Sequence, residues 1–338
     1  MRIAPTCALA ALTALLWPVA AGAQATGWAQ IVEAAKKEGT VLVYHAQLGA
    51  AHWKKAVDSF QTRYGIKVQE LDVRASELTE RIRVEQTSGR FLADLEFHGD
   101  ASIVEQRGSG YVAEHGDIPN IRSLRAEFPA DQWAVPAWVQ MVCALVNTGM
   151  VKPADEPRKW AHFLDPKWKG KMLSDDMRAV GSGQTQFAVF HKTFGAEFLQ
   201  QLKAQELSFN RDLQQNSRRV ARGEYPIVLQ QIIAFASDLK GLPVKVIVPD
   251  EGCPYTLVSG AVVRGAPHAN AARLMLNHFL EPDTQLIYGN AWMGTVVEGI
   301  WERLTDADAK RFAGAKPMGA ITFEERARML QLATEMFK

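Results

Sequence analysis

Apolar residues recur at helical spacing at the start of the run 27–49, where Trp28, Ile31, Val32 and Ala35 mark one face. Gly39 then stops the helix ahead of an apolar strand at 40–44. Trp53, Val57, Phe60 and Tyr64 mark the next helix, and strand 66–71, helix 76–88 and strand 93–97 follow. This alternation predicts consecutive right-handed βαβ units and a mostly parallel sheet covered on both faces. A second series begins after Asn147: strand 171–173, a helix from Gln184, helix 196–203, strand 207–209, helix 217–222, strand 227–229, a helix to Leu239, and strand 244–248. Two extended apolar segments, 141–146 and 257–263, are predicted to cross between the two series. Behind the second crossing come helices at 268–280, 284–288, 306–312 and 323–337, the last opened by a capping box of Thr322 and Glu325. The fold class expected is α/β, with two doubly wound α/β lobes joined by a two-strand hinge. Residues 26–145 and 256–316 form the first lobe and 146–255 the second, while the tail 317–338 is assigned to neither.

The first residues change the picture by supplying an address. Arg2, an apolar stretch at 7–17 and small residues at Ala21, Ala23 and Ala25 have the layout of a cleaved export signal, 1–25, and predict a periplasmic destination. The stretch is too short for a permanent membrane anchor, so contact with a membrane is expected to be peripheral. Apolar residues make up 47% of the chain, and 38 Lys plus Arg face 37 Asp plus Glu. A balance this even disfavours a nucleic-acid partner, which demands a basic excess on one face. Beyond the signal only Cys143 and Cys253 remain. In an oxidising compartment they can pair, or they can stay as two small buried hydrophobes, and their spacing excludes a zinc site of the paired-cysteine kind.

Several segments in order carry a resemblance: IVEAAKKEGTVLVY, FQTRYGIKVQEL, ERIRVEQTSGRFLADL, LVNTGMVKPADEPRKWAHFLDPKWKGKM, VARGEYPIVL and APHANAARLMLNHFL. The chain resembles the extracellular solute-binding proteins that serve ABC importers, in the branch that includes ferric-ion-binding proteins. The resemblance implies a type II periplasmic-binding-protein fold, a small-molecule solute as cargo, and a membrane permease with its ATPase as partners. It implies no cofactor and a monomer that closes on one solute. The segment with Asn147, Pro157, Trp160, Asp165, Pro166, Lys169, Gly170 and Lys171 is its most specific part, and marks the start of the second lobe.

In doubly wound sheets ligands lie beyond the C-terminal ends of the strands, so the loops there supply the candidates. These are His45, Gln47, Arg74, His98 and Asp100 in the first lobe, and Ser182, Gly183, Gln184, Arg211 and Gln230 in the second, with Gln140 on a crossing segment. In AVGSGQTQ, small residues precede a helix start whose free N–H groups favour negative charge. In ferric-binding relatives the matching serine and glycine hold a small anion, which makes Ser182, Gly183 and Gln184 the first choice for ligand contact; an ordinary serine cap is the alternative. Arg74 and Arg211 can meet an anion in bidentate fashion. The amides of Gln47, Gln140, Gln230 and Gln231 suit hydroxyl or amine groups, and Trp138 and Tyr255 can pack an apolar part of the solute.

A ferric ion is the first alternative cargo. The adjacent tyrosines that ferric-binding relatives commonly supply are absent from GEYPIVLQQIIAF, where Gln230, Gln231, Ile232 and Ile233 stand, and no metal site is predicted. A periplasmic hydrolase is the second alternative. The chain holds no GxSxG, HExxH, CxxC or phosphate loop, and GSGYVA at 108–113 follows polar SIVEQR, so it reads as a turn. The expected function is capture of a phosphate-, phosphonate- or carboxylate-bearing solute, with no catalytic residues.

Overall fold

The computed structural model describes residues 27–338, and the expected export signal lies outside them. Helix α1 (Gly27–Glu38) stops at Gly39, whose φ of +70° is a conformation glycine adopts without strain. Strand β1 (Thr40–His45), helix α2 (Ala51–Tyr64), strand β2 (Lys67–Asp72), helix α3 (Ala75–Ser88) and strand β3 (Leu95–Gly99) follow. β1 lies parallel between β2 and β3, as the alternation predicts. β3 runs directly into helix α4 (Asp100–Gly108), which periodicity does not announce. Two of its buried positions are the polar Ser102 and Gln106, so no apolar stripe marks the inner face. GSGYVA begins at the last residue of this helix and continues as a turn.

Strand β4 (Val135–Asn147) is shared by both lobes. Its first half pairs with strand β9, and its second half with strands β7 and β8. The second lobe adds β5 (Met172–Ser174), α5 (Ser182–Lys203), β6 (Ser208–Phe209), α6 (Leu213–Ala221), β7 (Ile227–Ile232) and β8 (Val244–Ile247). α5 kinks at Gly195, the boundary expected between two helices, and 233–239 is 3-10 rather than α-helical. β9 (Cys253–Val262) returns to pair antiparallel with β3, giving the continuous order β2-β1-β3-β9-β4-β7-β5-β6. Both crossing strands start earlier than the apolar runs suggest. Pro136 and Pro254 interrupt the pattern, and a register shift between Pro136 and Trp138 absorbs the first of them.

Helices α7 (Ala269–Phe279), α8 (Pro282–Asn290) and α9 (Ala307–Ala313), strand β10 (Pro317–Gly319) and helix α10 (Phe323–Met336) complete the chain. The capping box of Thr322 and Glu325 opens α10 as expected. The tail touches both lobes: Phe337 packs on Phe187 and Phe209 of the second, while Arg326 pairs with Glu105 of α4 in the first. Where the crossing strands meet, Cys143 and Cys253 form a disulfide with a Cα–Cα distance of 5.3 Å, two residues beyond the Met141–Tyr255 pair on both strands. Trp138 is fully buried against Trp53, Phe97, Phe279 and Tyr288, so its ring belongs to the core and not to a ligand wall.

Candidate functional site

A cavity of about 520 Å³ lies between the lobes, walled by the ends of β1, β3 and β5, the middle of β4, the start of β9 and the segment entering α10. The lobes meet across it. Arg211 donates to Ser76 Oγ at 2.8 Å, and the Gln214 amide donates to the Leu48 carbonyl at 2.8 Å. Gln47, Arg74, His98, Asp100, Gln140, Ser182, Gln184 and Arg211 all line this space. His45, Gly183 and Gln230 do not, and each has a structural reason.

The His45 ring is buried beneath the loop, stacked on Trp53 with 4.0 Å between centroids and flanked by Asp72 at 3.3 Å and Glu70 at 3.5 Å. Burial pushes its pKa down, but the two carboxylates outweigh that and raise it overall. Asp72 also accepts the N–H groups of Leu48 and Gly49, so His45 braces the 46–49 loop from behind. A Cβ on Gly183 would sit 3.0 Å from the Asp175 carbonyl oxygen, so the glycine is required by close backbone packing. Gln230 accepts the Asp175 N–H and donates to Gln186, while Gln231 accepts from Ser217 and donates to the Ile232 carbonyl. These amides support the cleft wall from inside.

At the start of α5, where the glycines and Ser182 suggest an anion seat, the chain supplies its own anion. Asp175 Oδ2 accepts from Ser182 Oγ and the Gly183 N–H, each at 2.8 Å, and Oδ1 accepts the Asp176 N–H at 2.9 Å. Burial raises the pKa of Asp175, and these bonds oppose the rise. The N-terminus of α4 is different. Gly99 is its N-cap, no side chain caps it, and Gly99, Asp100, Ala101 and Ser102 all face the cavity. Ser102 is buried and its hydroxyl has no partner among the described residues. Asp100 turns one oxygen to Ser259 Oγ at 2.8 Å, and burial raises its pKa.

His98 is the penultimate residue of β3 and has both nitrogens engaged. Nδ1 accepts the Gly99 N–H at 2.7 Å, and Nε2 lies 3.0 Å from the Ala75 carbonyl and 2.9 Å from Thr79 Oγ1. Burial, with the charge of Arg326 adding to it, pushes its pKa down to about 3, so the ring is a neutral strut between β3 and α3. It has no lone pair free for a metal. No group of three or more His, Cys, Asp or Glu that could hold a metal ion occurs among the described residues.

Sequence reasoning missed Asp175, Ser102, Thr256 and the arm 320–326, all on the cavity wall. Asp175 carried a weak signal, since it lies just ahead of the AVGSGQTQ segment and only seven positions before Ser182, where α5 begins. Arg326 carried none, because only the tertiary fold brings α10 beside α4.

The family described as bacterial extracellular solute-binding protein matches this chain over residues 96–310, well over half of it. A Haemophilus influenzae relative named only as an uncharacterized protein is 28% identical over 134 residues, and the chain spans about two fifths of the length of that curated relative (39%). The ABC-transporter substrate-binding protein of Agrobacterium tumefaciens superposes with a TM-score of 0.77 at 17% identity, covering 88% of this chain and 94% of that one. Iron-bound HitA from Pseudomonas aeruginosa gives 0.72 at 16% identity, with 88% and 99% covered. AfuA from Actinobacillus pleuropneumoniae, with fructose-6-phosphate bound, gives 0.72 at 18%, with 88% and 98% covered. At these identities the likeness establishes the fold, that of type II periplasmic binding proteins.

Proposed function

The chain belongs to the bacterial extracellular solute-binding protein family, and from that premise we propose that it captures a small polar solute bearing a phosphate, phosphonate or carboxylate between its lobes. It then delivers that solute to the permease and ATPase of an ABC importer. The observation that carries this reading is the interlobe cavity itself, with Arg74, Arg211 and Arg326 on its wall and direct hydrogen bonds from one lobe to the other across it. A solute touching both walls binds the closed arrangement better than an open one, and so shifts the population toward closure.

An organic anion fits these walls better than a bare ferric ion. Arginines repel a trivalent cation, His98 has no free nitrogen, and both oxygens of Asp175 are taken. HitA is described with iron and AfuA with fructose-6-phosphate, so relatives of this fold accommodate either cargo. The expected export signal and the Cys143–Cys253 disulfide fit a periplasmic location, and a monomer is the expected state. Binding without turnover is the expected activity. The test is a thermal-shift screen of the mature chain with phosphates, phosphonates, carboxylates and ferric salts. A rise in Tm with an anion and unchanged ligand afterwards supports the reading. A rise with ferric salts alone, or consumption of the ligand, replaces it.

A further inference from the structure

We propose that the anionic group of the solute seats on the first lobe, at the N-terminus of α4 with Ser102 Oγ and the Arg326 guanidinium, and not at the start of α5. The proposal rests on the reading of the cavity as the solute site. It turns on which donors facing the cavity still lack an acceptor.

At α5 they do not lack one, because Asp175 already occupies the place an incoming anion would take, held by two hydrogen bonds of 2.8 Å. A second anion beside it would meet like charge at short range. At α4 the first-turn N–H groups have no side-chain acceptor among the described residues, and the helix is nine residues long, enough to present a positive end. Two independent features point to a ligand there. Ser102 lines the cavity at 1% exposure, and its hydroxyl is unpartnered among the described residues. Arg326, from the C-terminal arm, is 9% exposed and also lines the cavity, and its buried Nε has no acceptor among the described residues. Its carboxylate partner among the described residues is Glu105 on α4, reached by Nη1 at 2.9 Å. Burial lowers the pKa of Arg326 despite that partner, as expected of a cation whose compensation is incomplete. An acceptor at this place would satisfy an orphaned hydroxyl, an orphaned guanidinium N–H and the helix end together.

Asp100 narrows the ligand class. Its Oδ1 accepts from Ser259, and the carboxyl group lies on the cavity wall in the same helical turn. A bare dianion would be repelled there. A carboxylate, phosphonate or phosphate ester with a neighbouring hydroxyl or amine gives Asp100 a donor while its anionic end takes α4 and Arg326.

The experiment is isothermal titration of the full mature chain with inorganic phosphate, glycolate, glycerol 3-phosphate and 2-aminoethylphosphonate. The variants are Ser102→Ala, Arg326→Gln, Arg326→Lys and Ser182→Ala, whose lost hydroxyl serves Asp175. Expected is binding of at least one hydroxyl- or amine-bearing anion more tightly than inorganic phosphate. Affinity should fall about tenfold in Ser102→Ala and more in Arg326→Gln, with partial recovery in Arg326→Lys, and change less than twofold in Ser182→Ala. Unfolding curves on each variant separate lost binding from lost folding. Loss of affinity in Ser182→Ala with Ser102→Ala unaffected overturns the seat at α4 and leaves the anion reading standing. Failure of the unmodified chain to bind any of the anions overturns both.

Discussion

Two helices aim their N-termini at one cavity from opposite lobes, and the protein equips them in opposite ways. α5 begins with glycines and a serine, the composition that suggests a welcome for anions, yet Asp175 closes it from within. α4 begins with Gly99 and Asp100 and is left without a side-chain cap among the described residues, beside a buried Ser102 hydroxyl and an Arg326 Nε that lack acceptors there. Small residues at a helix start therefore report close backbone approach, and whether a ligand or the chain itself makes that approach is decided by neighbours. The same contrast extends to the lobes as wholes. The second is tied by the Cys143–Cys253 bond and a glutamine network, whereas the first-lobe residues on the cavity wall retain unspent hydrogen-bonding capacity.

The most severe way to break this contrast is to cut the tie. Replacing both Cys143 and Cys253 by serine, or reducing them, should cost about 2–5 kcal/mol of stability, read as a lower midpoint in urea with and without dithiothreitol. Next comes Asp175→Ala, which leaves the Ser182 hydroxyl and two N–H groups without their acceptor and should cost about 2–3 kcal/mol in the same assay. It also exposes the start of α5, so inorganic phosphate should raise the Tm of this variant by more than that of the unmodified chain.

A third effect lies beneath α4, where Glu96 is fully buried with the Gln106 amide donating to it at 3.0 Å. Burial raises the Glu96 pKa from 4.5 to about 8, against the opposing bond from Gln106. The folded chain thus keeps a proton that the unfolded chain releases near its ordinary value. This contribution to stability is complete at low pH and is lost as pH rises through about 8. Urea unfolding at pH 5, 7 and 9 should show that decline in the unmodified chain and a flatter profile in Glu96→Gln. The smallest effect is expected from Thr322→Ala, which removes the hydroxyl accepting the Glu325 N–H and should cost about 1 kcal/mol. Because α10 carries Arg326, the same change should also weaken anion binding slightly by titration.

The alternation of helices and strands in both lobes was legible because period-2 and period-3.6 apolar patterns are local and the glycine stop at Gly39 is explicit. The hinge strands were legible only in their apolar halves, since Pro136 and Pro254 mask the rest. α4 escaped because its buried face is partly polar. In the candidate site, the loops at strand ends were found by topology, and Gln47, Arg74, His98, Asp100, Gln140, Ser182, Gln184 and Arg211 stand on one cavity. What could not be read was the direction of each group. His45 and Gln230 turn away into support, and Arg326 arrives from more than two hundred residues along the chain, through packing that no local pattern encodes.

The cross-link at the hinge has one more consequence. Its closure spans 110 residues, and the ring it forms encloses β5 through β8 with everything between them. A protease that nicks any loop within 144–252 would linearise that ring without releasing a fragment. Nicked chains should migrate as intact on a non-reducing gel and separate into pieces only once thiol is added.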